Sequence, residues 1–256
     1  ISMPEFGFFT NNSKLQARVY KQRLDKYFSK MAPYYEANTS WREIYNRLVE
    51  LEKSIALNRN SLVDLLNKMI KEGYLMEIKI ISLIPILPDQ KGANYAAENG
   101  YLTILQWMKE NGLLLPNQFG ANRAADNGHI EVLQWMKENG LSLPDQYGAN
   151  WAASNGHLAV LQWMKENSLP LPNQHGAYWA VYNGHLVILQ WMKENGLPLP
   201  NKHGANWAAR NGHLVILRWM KENNLALPDQ YGANYAVENG HTDIVNWLAS
   251  QSLSNR

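Results

Sequence analysis

The sequence predicts an all-α fold in which most of the chain is a solenoid of helix-turn-helix repeats, preceded by a helical N-terminal extension. Three observations carry this prediction. Near-copies of the phrases GANWAA and NGHLVILQWMKENG recur along the chain in one register. The apolar residues of the longer phrase follow the i, i+3, i+4 spacing of a helix with one buried face. A tryptophan recurs every 28 residues, at Trp107, Trp135, Trp163, Trp191, Trp219 and Trp247.

Each 28-residue unit contains two short helical patterns. In the third unit we expect a first helix over 149–154, which Asn155 and Gly156 end because glycine tolerates the left-handed conformation after a helix. A second helix is expected to begin near His157, and the prolines of the segment 169–172 indicate an extended loop. Six consecutive units follow this pattern: 92–119, 120–147, 148–175, 176–203, 204–231 and 232–256.

Two short helices cannot bury an apolar stripe by themselves, but stacking against copies of the same unit can. In the third unit the stripe includes Leu161, Trp163 and Met164 on the second helix. Ala152 and Ala153 lie on the first helix, where small side chains allow a neighbouring helix to approach closely. The sequence therefore predicts an elongated, curved array.

The segments AADNGHIEVL at 124–133 and AASNGHLAVL at 152–161 resemble the phrase A-A-x-x-G-H-L-x-V-V of the ankyrin repeat family. That resemblance implies an ankyrin-like α-solenoid that acts as a non-enzymatic scaffold for protein-protein interaction. Ankyrin repeats usually have about 33 residues, and the units here are shorter where the family places its projecting finger. We therefore expect short prolyl loops instead of fingers, and binding on the first helices, which line the concave face in ankyrin-like geometry.

Short, nearly identical repeats of this kind look like those of amoeba-infecting giant viruses, some protists, and intracellular bacteria that inject effectors into their hosts. A source among pathogens would imply a host-cell protein as partner and the host cytosol as the place of action. Without that condition the resemblance implies a cytoplasmic scaffold.

The N-terminal third is expected to hold a helical extension over 1–59 and a degenerate capping repeat over 60–91. The capping repeat is inferred because the GYL of 73–75 and the LPDQ of 87–90 align with the GYL of 100–102 and the LPNQ of 115–118. Terminal units of a solenoid are atypical because one side faces water. Two alternatives for 1–59 are a small recruiting module of the F-box kind and part of a larger enzyme.

Composition excludes several classes of function. The net charge is +2, and residues 92–256 carry 10 Lys and Arg against 12 Asp and Glu, so nucleic acid binding is not expected. No apolar run approaches the roughly 18–20 residues that a membrane span needs, so membrane insertion is not expected either. The chain has no cysteine and no phosphate-binding, nucleophile-elbow or zinc-protease motif. We therefore expect no enzyme activity and no cofactor. We also expect a monomer. The repeated histidines are too far apart to share a metal ion. A structural role in helix capping and in hydrogen bonds between repeats is therefore expected for His129, His157, His185, His213 and His241.

Positions that vary between otherwise similar units indicate where a partner binds. One first-helix position reads Tyr, Arg, Trp, Trp, Trp, Tyr along the array, and the position three residues later differs in nearly every unit. Aromatic residues and arginine are the usual anchors of interfaces. A structural alternative is that the aromatics fill space between helices, and a functional one is a module that stacks a glycan or small molecule on them. The candidate partner-binding residues are Trp151, Tyr178, Trp179, Tyr182, Trp207 and Arg210.

Overall fold

The computed structural model describes residues 88–253, together with Asp64, Asn67, Lys68, Ile70 and Lys71. The predictions for 1–59, and nearly all of those for 60–91, lie outside the described residues and stay predictions. Contacts divide the chain into two units, Ile1–Asp89 and Gln90–Arg256, and the second is described below. Nothing within the described part of the chain is a helix long and apolar enough to cross a membrane.

The second unit consists of helix pairs, and the residues described there form no β-strand, which confirms the predicted all-α fold of ankyrin-like helix-turn-helix repeats. We number the pairs as repeats 1 to 6. The twelve helices of this unit are α1 Gln90–Glu98, α2 Leu102–Glu110, α3 Gln118–Asp126, α4 Ile130–Glu138, α5 Gln146–Ser154, α6 Leu158–Glu166, α7 Gln174–Tyr182, α8 Leu186–Glu194, α9 Lys202–Arg210, α10 Leu214–Glu222, α11 Gln230–Glu238 and α12 Thr242–Leu253.

The first helix of each repeat begins earlier than the sequence pattern indicates. In repeat 3 it starts at Gln146, because the Asp145 carboxylate accepts a hydrogen bond from the backbone N–H of Tyr147 at 2.8 Å and so caps the helix. The helix ends as expected. Gly156 has a φ of 77°, and the N–H of His157 donates to the Ala152 carbonyl at 2.9 Å, which is the Schellman arrangement.

The second helices supply the large side chains of the core. In α6, Leu161 and Met164 are fully buried and Trp163 is only 7% exposed. The same residues are buried at the equivalent positions of α2, α4, α8 and α10. The repeated tryptophan is therefore a core residue, as its place in the apolar stripe indicates.

The first helices pack much more closely on one another than the second helices do. Glycine and alanine form this contact: Gly148, Ala149 and Ala152 of α5 are all buried. Large side chains hold the second helices apart. A stack that is spaced more closely on one side curves toward that side, which places the first helices on the inner face of the array.

A buried asparagine ties most first helices to the next repeat. The Asn122 side-chain oxygen accepts from the backbone N–H of Asp145 at 2.9 Å, and its amide donates to the Asp145 carboxylate, also at 2.9 Å. Asn206 makes the same pair of hydrogen bonds with Asp229. These bonds satisfy polar groups that packing removes from water. We call this series, which also includes Asn94 and Asn150, the asparagine ladder.

The repeated histidines also link neighbouring repeats. Nε2 of His213 lies 2.9 Å from the Tyr182 carbonyl oxygen, and Nε2 of His241 lies 2.9 Å from that of Arg210. Although a histidine precedes each second helix from α4 to α10, none of these four side chains makes a capping hydrogen bond to its helix. The expectation of a capping role was wrong, whereas that of bonds between repeats is confirmed.

We expect the array to lose stability as the pH falls below about 6.5, the usual pKa of histidine. Burial lowers the pKa of His129 and His185, and neighbouring histidines add to that effect, against the raising effect of the bonds to backbone groups of Glu98 and Ser154. A lowered folded-state pKa gives stability that is present above the unfolded-state pKa and is lost as the pH falls through the folded-state value. Urea unfolding at a series of pH values measures this loss.

The control for this prediction uses His175 and His203, two exposed histidines in the first turn of α7 and of α9. A double substitution of His175 and His203 by glutamine, both exposed, should leave the slope of stability against pH unchanged. The double substitution of His129 and His185 by glutamine should flatten it. An unchanged slope in the second variant would contradict the assignment.

Candidate binding face on the first helices

Three positions of each first helix share its exposed side, because they are separated by four and three residues. We call these positions together the first-helix face. Several of its aromatic side chains are strongly exposed, among them Tyr147 at 67% and Trp179 at 51%. By position, the face comprises Lys91, Phe119, Tyr147, His175, His203 and Tyr231, then Tyr95, Arg123, Trp151, Trp179, Trp207 and Tyr235, then Glu98, Asp126, Ser154, Tyr182, Arg210 and Glu238.

Four of the candidate residues come together at the centre of this face. The ring centroids of Trp179 and Tyr182 are 5.4 Å apart, and those of Tyr182 and Trp207 are also 5.4 Å apart, with interplanar angles of 70° and 65°. Arg210 lies against the Trp207 ring, 5.0 Å from its centroid. We call these four residues the central cluster. The contact between Tyr182 and Trp207 links α7 to α9 by side chains, in addition to the packing of the two helices.

Tyr235 belongs beside the central cluster, although the sequence did not single it out. The Arg210 guanidinium carbon lies 5.2 Å from the Tyr235 ring centroid, so two rings from different repeats flank this cation. The signal available in the sequence was that Tyr235 occupies the same repeat position as Trp207. What the sequence did not show was that Arg210 reaches forward to the next repeat.

Trp151 lies in a second group, with no ring contact to Trp179 among the described residues. The Arg123 guanidinium carbon is 5.1 Å from the Trp151 ring centroid and 5.3 Å from that of Phe119. Arg123 also pairs with Asp126 at 3.2 Å. Ser154 stands in repeat 3 where Tyr182 stands in repeat 4, so no ring bridges from Trp151 to the next repeat.

Tyr178 occupies a different place from the other candidates. It stands at the asparagine-ladder position, where Asn150 and Asn206 stand in the neighbouring repeats, and it is partly buried. Its ring contacts that of His175, with centroids 6.5 Å apart. A phenol ring cannot reproduce the paired amide hydrogen bonds of the ladder. The Tyr178 ring lies against Gly204 of α9, so Tyr178 shapes the joint between repeats 4 and 5.

The joint between repeats 4 and 5 has a second irregularity. Asn155 and Asn183 each donate a side-chain hydrogen bond to the last residue of the preceding first helix, at 2.9 and 2.8 Å. Asn211 holds the equivalent position, yet its amide nitrogen is buried without a hydrogen-bond partner. The α7–α9 contact is also looser than those of the other first helices. The tyrosine at position 178 explains this loosening by its size.

Within the part of the chain that the structure describes, histidine and acidic side chains form no group of three that could hold a metal ion. One recess near the end of the array is lined by Ala236, Val237 and Val245 and has a volume of about 150 Å³. Pockets for drug-sized ligands are usually about 300–1,000 Å³. The exposed first-helix face remains the prominent feature.

No protein-family model matches this sequence, and no curated protein matches it. Solved structures of helical repeat proteins are similar to it in fold. The human ASB11 ankyrin repeat domain has 14% identity and a TM-score of 0.48, over 68% of this chain and 96% of that one. The pentatricopeptide repeat protein PPR10 in complex with an 18-nt psaJ RNA element has 13% identity and a TM-score of 0.43, over 94% of this chain. This chain spans 40% of that one. The pentatricopeptide repeat protein PPR10 from maize has 16% identity and a TM-score of 0.39, over 97% of this chain and 44% of that one.

Proposed function

We propose that this protein is a non-enzymatic scaffold that binds a protein partner on the central first-helix face. Trp151, Trp179, Tyr182, Trp207 and Arg210 supply the anchors, and Tyr178 sets the spacing beneath them. The observation that carries the proposal is the exposure of Trp179 and Trp207, which are 51% and 40% exposed while the second-helix tryptophans from repeat 1 to repeat 5 are 7–8% exposed. Contiguous exposed aromatic surface of this kind marks interaction sites.

The exposure also argues against aromatics that only fill space between helices. A filling residue is expected to be buried like Ala152 or Leu161, both at 0%. The central rings instead contact one another at the surface, edge to face. Such contacts stabilise the cluster by about 0.5–1.5 kcal/mol per pair and hold the anchors in place before a partner arrives.

A glycan or small-molecule module is the second candidate, and the ring geometry disfavours it. Stacking of a sugar requires an open ring face, yet Arg123 lies against Trp151 and Arg210 lies against Trp207. Centroid separations of 5.4 Å leave no room for a cation or sugar between the central rings. Among Trp151, Trp179 and Trp207, only Trp179 has no guanidinium against its ring in the described contacts. The face therefore offers one uncovered ring and not a ladder of open platforms, which suits a protein interface better than a glycan.

Charge disfavours a nucleic acid partner. Single-stranded RNA is bound by aromatic stacking together with a basic groove, and residues 92–256 carry two more acidic than basic side chains. In repeats 3 to 5 the first-helix face holds one full cation, Arg210, apart from its two histidines. We therefore propose that the partner is a protein. It binds the first-helix face of a monomeric scaffold. If the source is a pathogen, the partner is a host protein in the host cytosol.

Affinity capture from candidate host-cell lysates, followed by mass spectrometry, tests this function. The wild type is compared with a Trp179→Ala, Tyr182→Ala double variant. The matched control is a Val187→Ala, Val215→Ala double variant, because these exposed valines lie on second helices. We expect a protein that the wild type and the valine variant recover and that the aromatic variant binds at least about 30-fold more weakly.

Circular dichroism confirms that each variant is folded. Equal recovery of the same proteins by all three forms would contradict binding on this face. Recovery that nuclease treatment abolishes would indicate RNA, and binding restricted to a glycan array would indicate the ligand module.

A further inference from the structure

Arg210 is held in place by rings while its hydrogen-bonding edge is free. Trp207 and Tyr235 lie against the guanidinium, at 5.0 and 5.2 Å from ring centroid to guanidinium carbon. The residue is exposed, and within the described part of the protein its side chain makes no hydrogen bond or ion pair. A guanidinium stacked on rings keeps its in-plane N–H donors available and loses less entropy when it binds.

Arg123 provides an internal comparison. It too is flanked by two rings, those of Phe119 and Trp151, but its Nη1 donates to the Asp126 carboxylate at 3.2 Å. The array therefore contains the same ring-flanked arginine twice, once with its own carboxylate and once without. Glu238, the acidic residue of the next repeat on this face, forms no ion pair with Arg210.

The surroundings of Arg210 indicate which anion fits. The first-helix face of repeats 3 to 5 holds no acidic residue, so within these repeats no side chain of the face competes for or repels an incoming carboxylate. Glu238 of repeat 6 is the next acidic residue along the face. Phosphate groups carry close to two negative charges and are bound by several cations or bidentate arginines together. A single arginine beside three exposed rings matches one carboxylate next to an apolar side chain.

We propose that Arg210 binds the carboxylate of an Asp or Glu residue of the partner, while Trp179 and Tyr182 pack against a neighbouring apolar side chain of the same segment. This inference rests on the proposed function, because it specifies the chemistry of the partner at the same face. The carboxylate takes the place relative to Arg210 that Asp126 holds relative to Arg123.

Selection of a random linear-peptide phage library on the whole 256-residue chain tests the inference without knowledge of the partner. We expect enriched peptides to combine an acidic residue with an aromatic or aliphatic one nearby. For one enriched peptide, measured by fluorescence anisotropy, Arg210→Gln should weaken binding by about 10- to 100-fold, as expected for a lost charge-assisted hydrogen bond. Arg218→Gln is the matched control, because Arg218 is an exposed arginine on α10 and should change nothing.

The outcomes separate the two proposals. Peptides that depend on Trp179 and Tyr182 but show no acidic preference, or that bind Arg210→Gln as tightly as the wild type, would overturn the carboxylate inference and leave the binding face standing. Enrichment that is indifferent to the Trp179→Ala, Tyr182→Ala variant would overturn the face itself. Two further results would also overturn the carboxylate inference. They are tighter binding after the acidic residue of the peptide is replaced by phosphoserine, and binding of RNA that Arg210→Gln abolishes.

A charge-reversal variant at Arg210 distinguishes the loss of its charge from a disturbance of its packing against the rings. Selection on Arg210→Glu should enrich basic peptides in place of acidic ones, while Arg210→Lys should keep part of the acidic preference, since lysine keeps the charge but not the planar fork. Loss of all peptide binding by both variants, with folding unchanged, would show that the ring contacts and not the charge matter at this position.

Discussion

Replacing Trp163 by alanine should lower the free energy of unfolding by about 3–5 kcal/mol, the largest stability effect we expect from a single truncation in the array. Trp163 is 7% exposed and lies between fully buried Leu161 and Met164 of the same helix. Removal of the indole leaves a cavity that neighbouring repeats on both sides cannot collapse into without disturbing their own core. Urea unfolding followed by far-UV circular dichroism measures the change.

Trp179→Ala is the control, since it removes the same side chain from a first helix. Trp179 is 51% exposed and has one described ring contact, with Tyr182, so its loss should cost about 1 kcal/mol or less. Similar losses of stability in the two variants would contradict the division between core tryptophans on second helices and exposed tryptophans on first helices. Binding should show the opposite order, with Trp179→Ala the more damaging.

Gly148→Ala should destabilise the array by about 1–3 kcal/mol through overpacking, although alanine in place of glycine within a helix ordinarily stabilises by about 1 kcal/mol. A Cβ atom at position 148 would lie 2.6 Å from Oδ1 of Asn122 and 2.8 Å from Cβ of Pro144. Asn122 cannot move aside without losing its bonds to Asp145, which lie at 2.9 Å. The reversed sign follows from the close approach of the first helices.

Gly204→Ala provides the matched comparison for this effect. Gly204 is the equivalent glycine of repeat 5, but it faces Tyr178 instead of a ladder asparagine, and its Cβ would lie 3.5 Å from that ring and 2.7 Å from Cβ of Pro200. We expect a smaller loss than at Gly148, measured by the same unfolding experiment. A gain in stability for Gly148→Ala would show that the asparagine ladder is not tightly packed.

Helix pairs, core residues and the exposed face could all be predicted from the repeat, because each is a property of one unit. Trp163 follows the apolar period of its helix, and Gly156 ends the preceding helix whatever surrounds it. The start of the first helix was placed too late, at position 149, because the role of Asp145 as a cap is visible only from its bond to the N–H of Tyr147. The resemblance to ankyrin repeats indicated the correct class of fold, and the short loops took the place of fingers.

The grouping of the candidate residues depended on distances between repeats, which the sequence does not contain. Trp151, Trp179 and Trp207 occupy one repeat position, yet only the last two share a cluster, because Tyr182 bridges them and Ser154 cannot bridge the pair before. Tyr235 joins Arg210, while Tyr178 faces the joint below. Each of these groupings depends on which side chain reaches the first helix of the next repeat.

The sequence by itself determined the period of the array, the two helices in each repeat, the buried side of each helix, and the positions at which the repeats differ. These follow from local propensity and apolar spacing within 28 residues. Only the tertiary structure decided that Arg123 is neutralised by Asp126 while Arg210 lies free between two rings. The physical reason is that the charge and exposure of a residue depend on neighbours one repeat away, and packing between repeats alone fixes those distances.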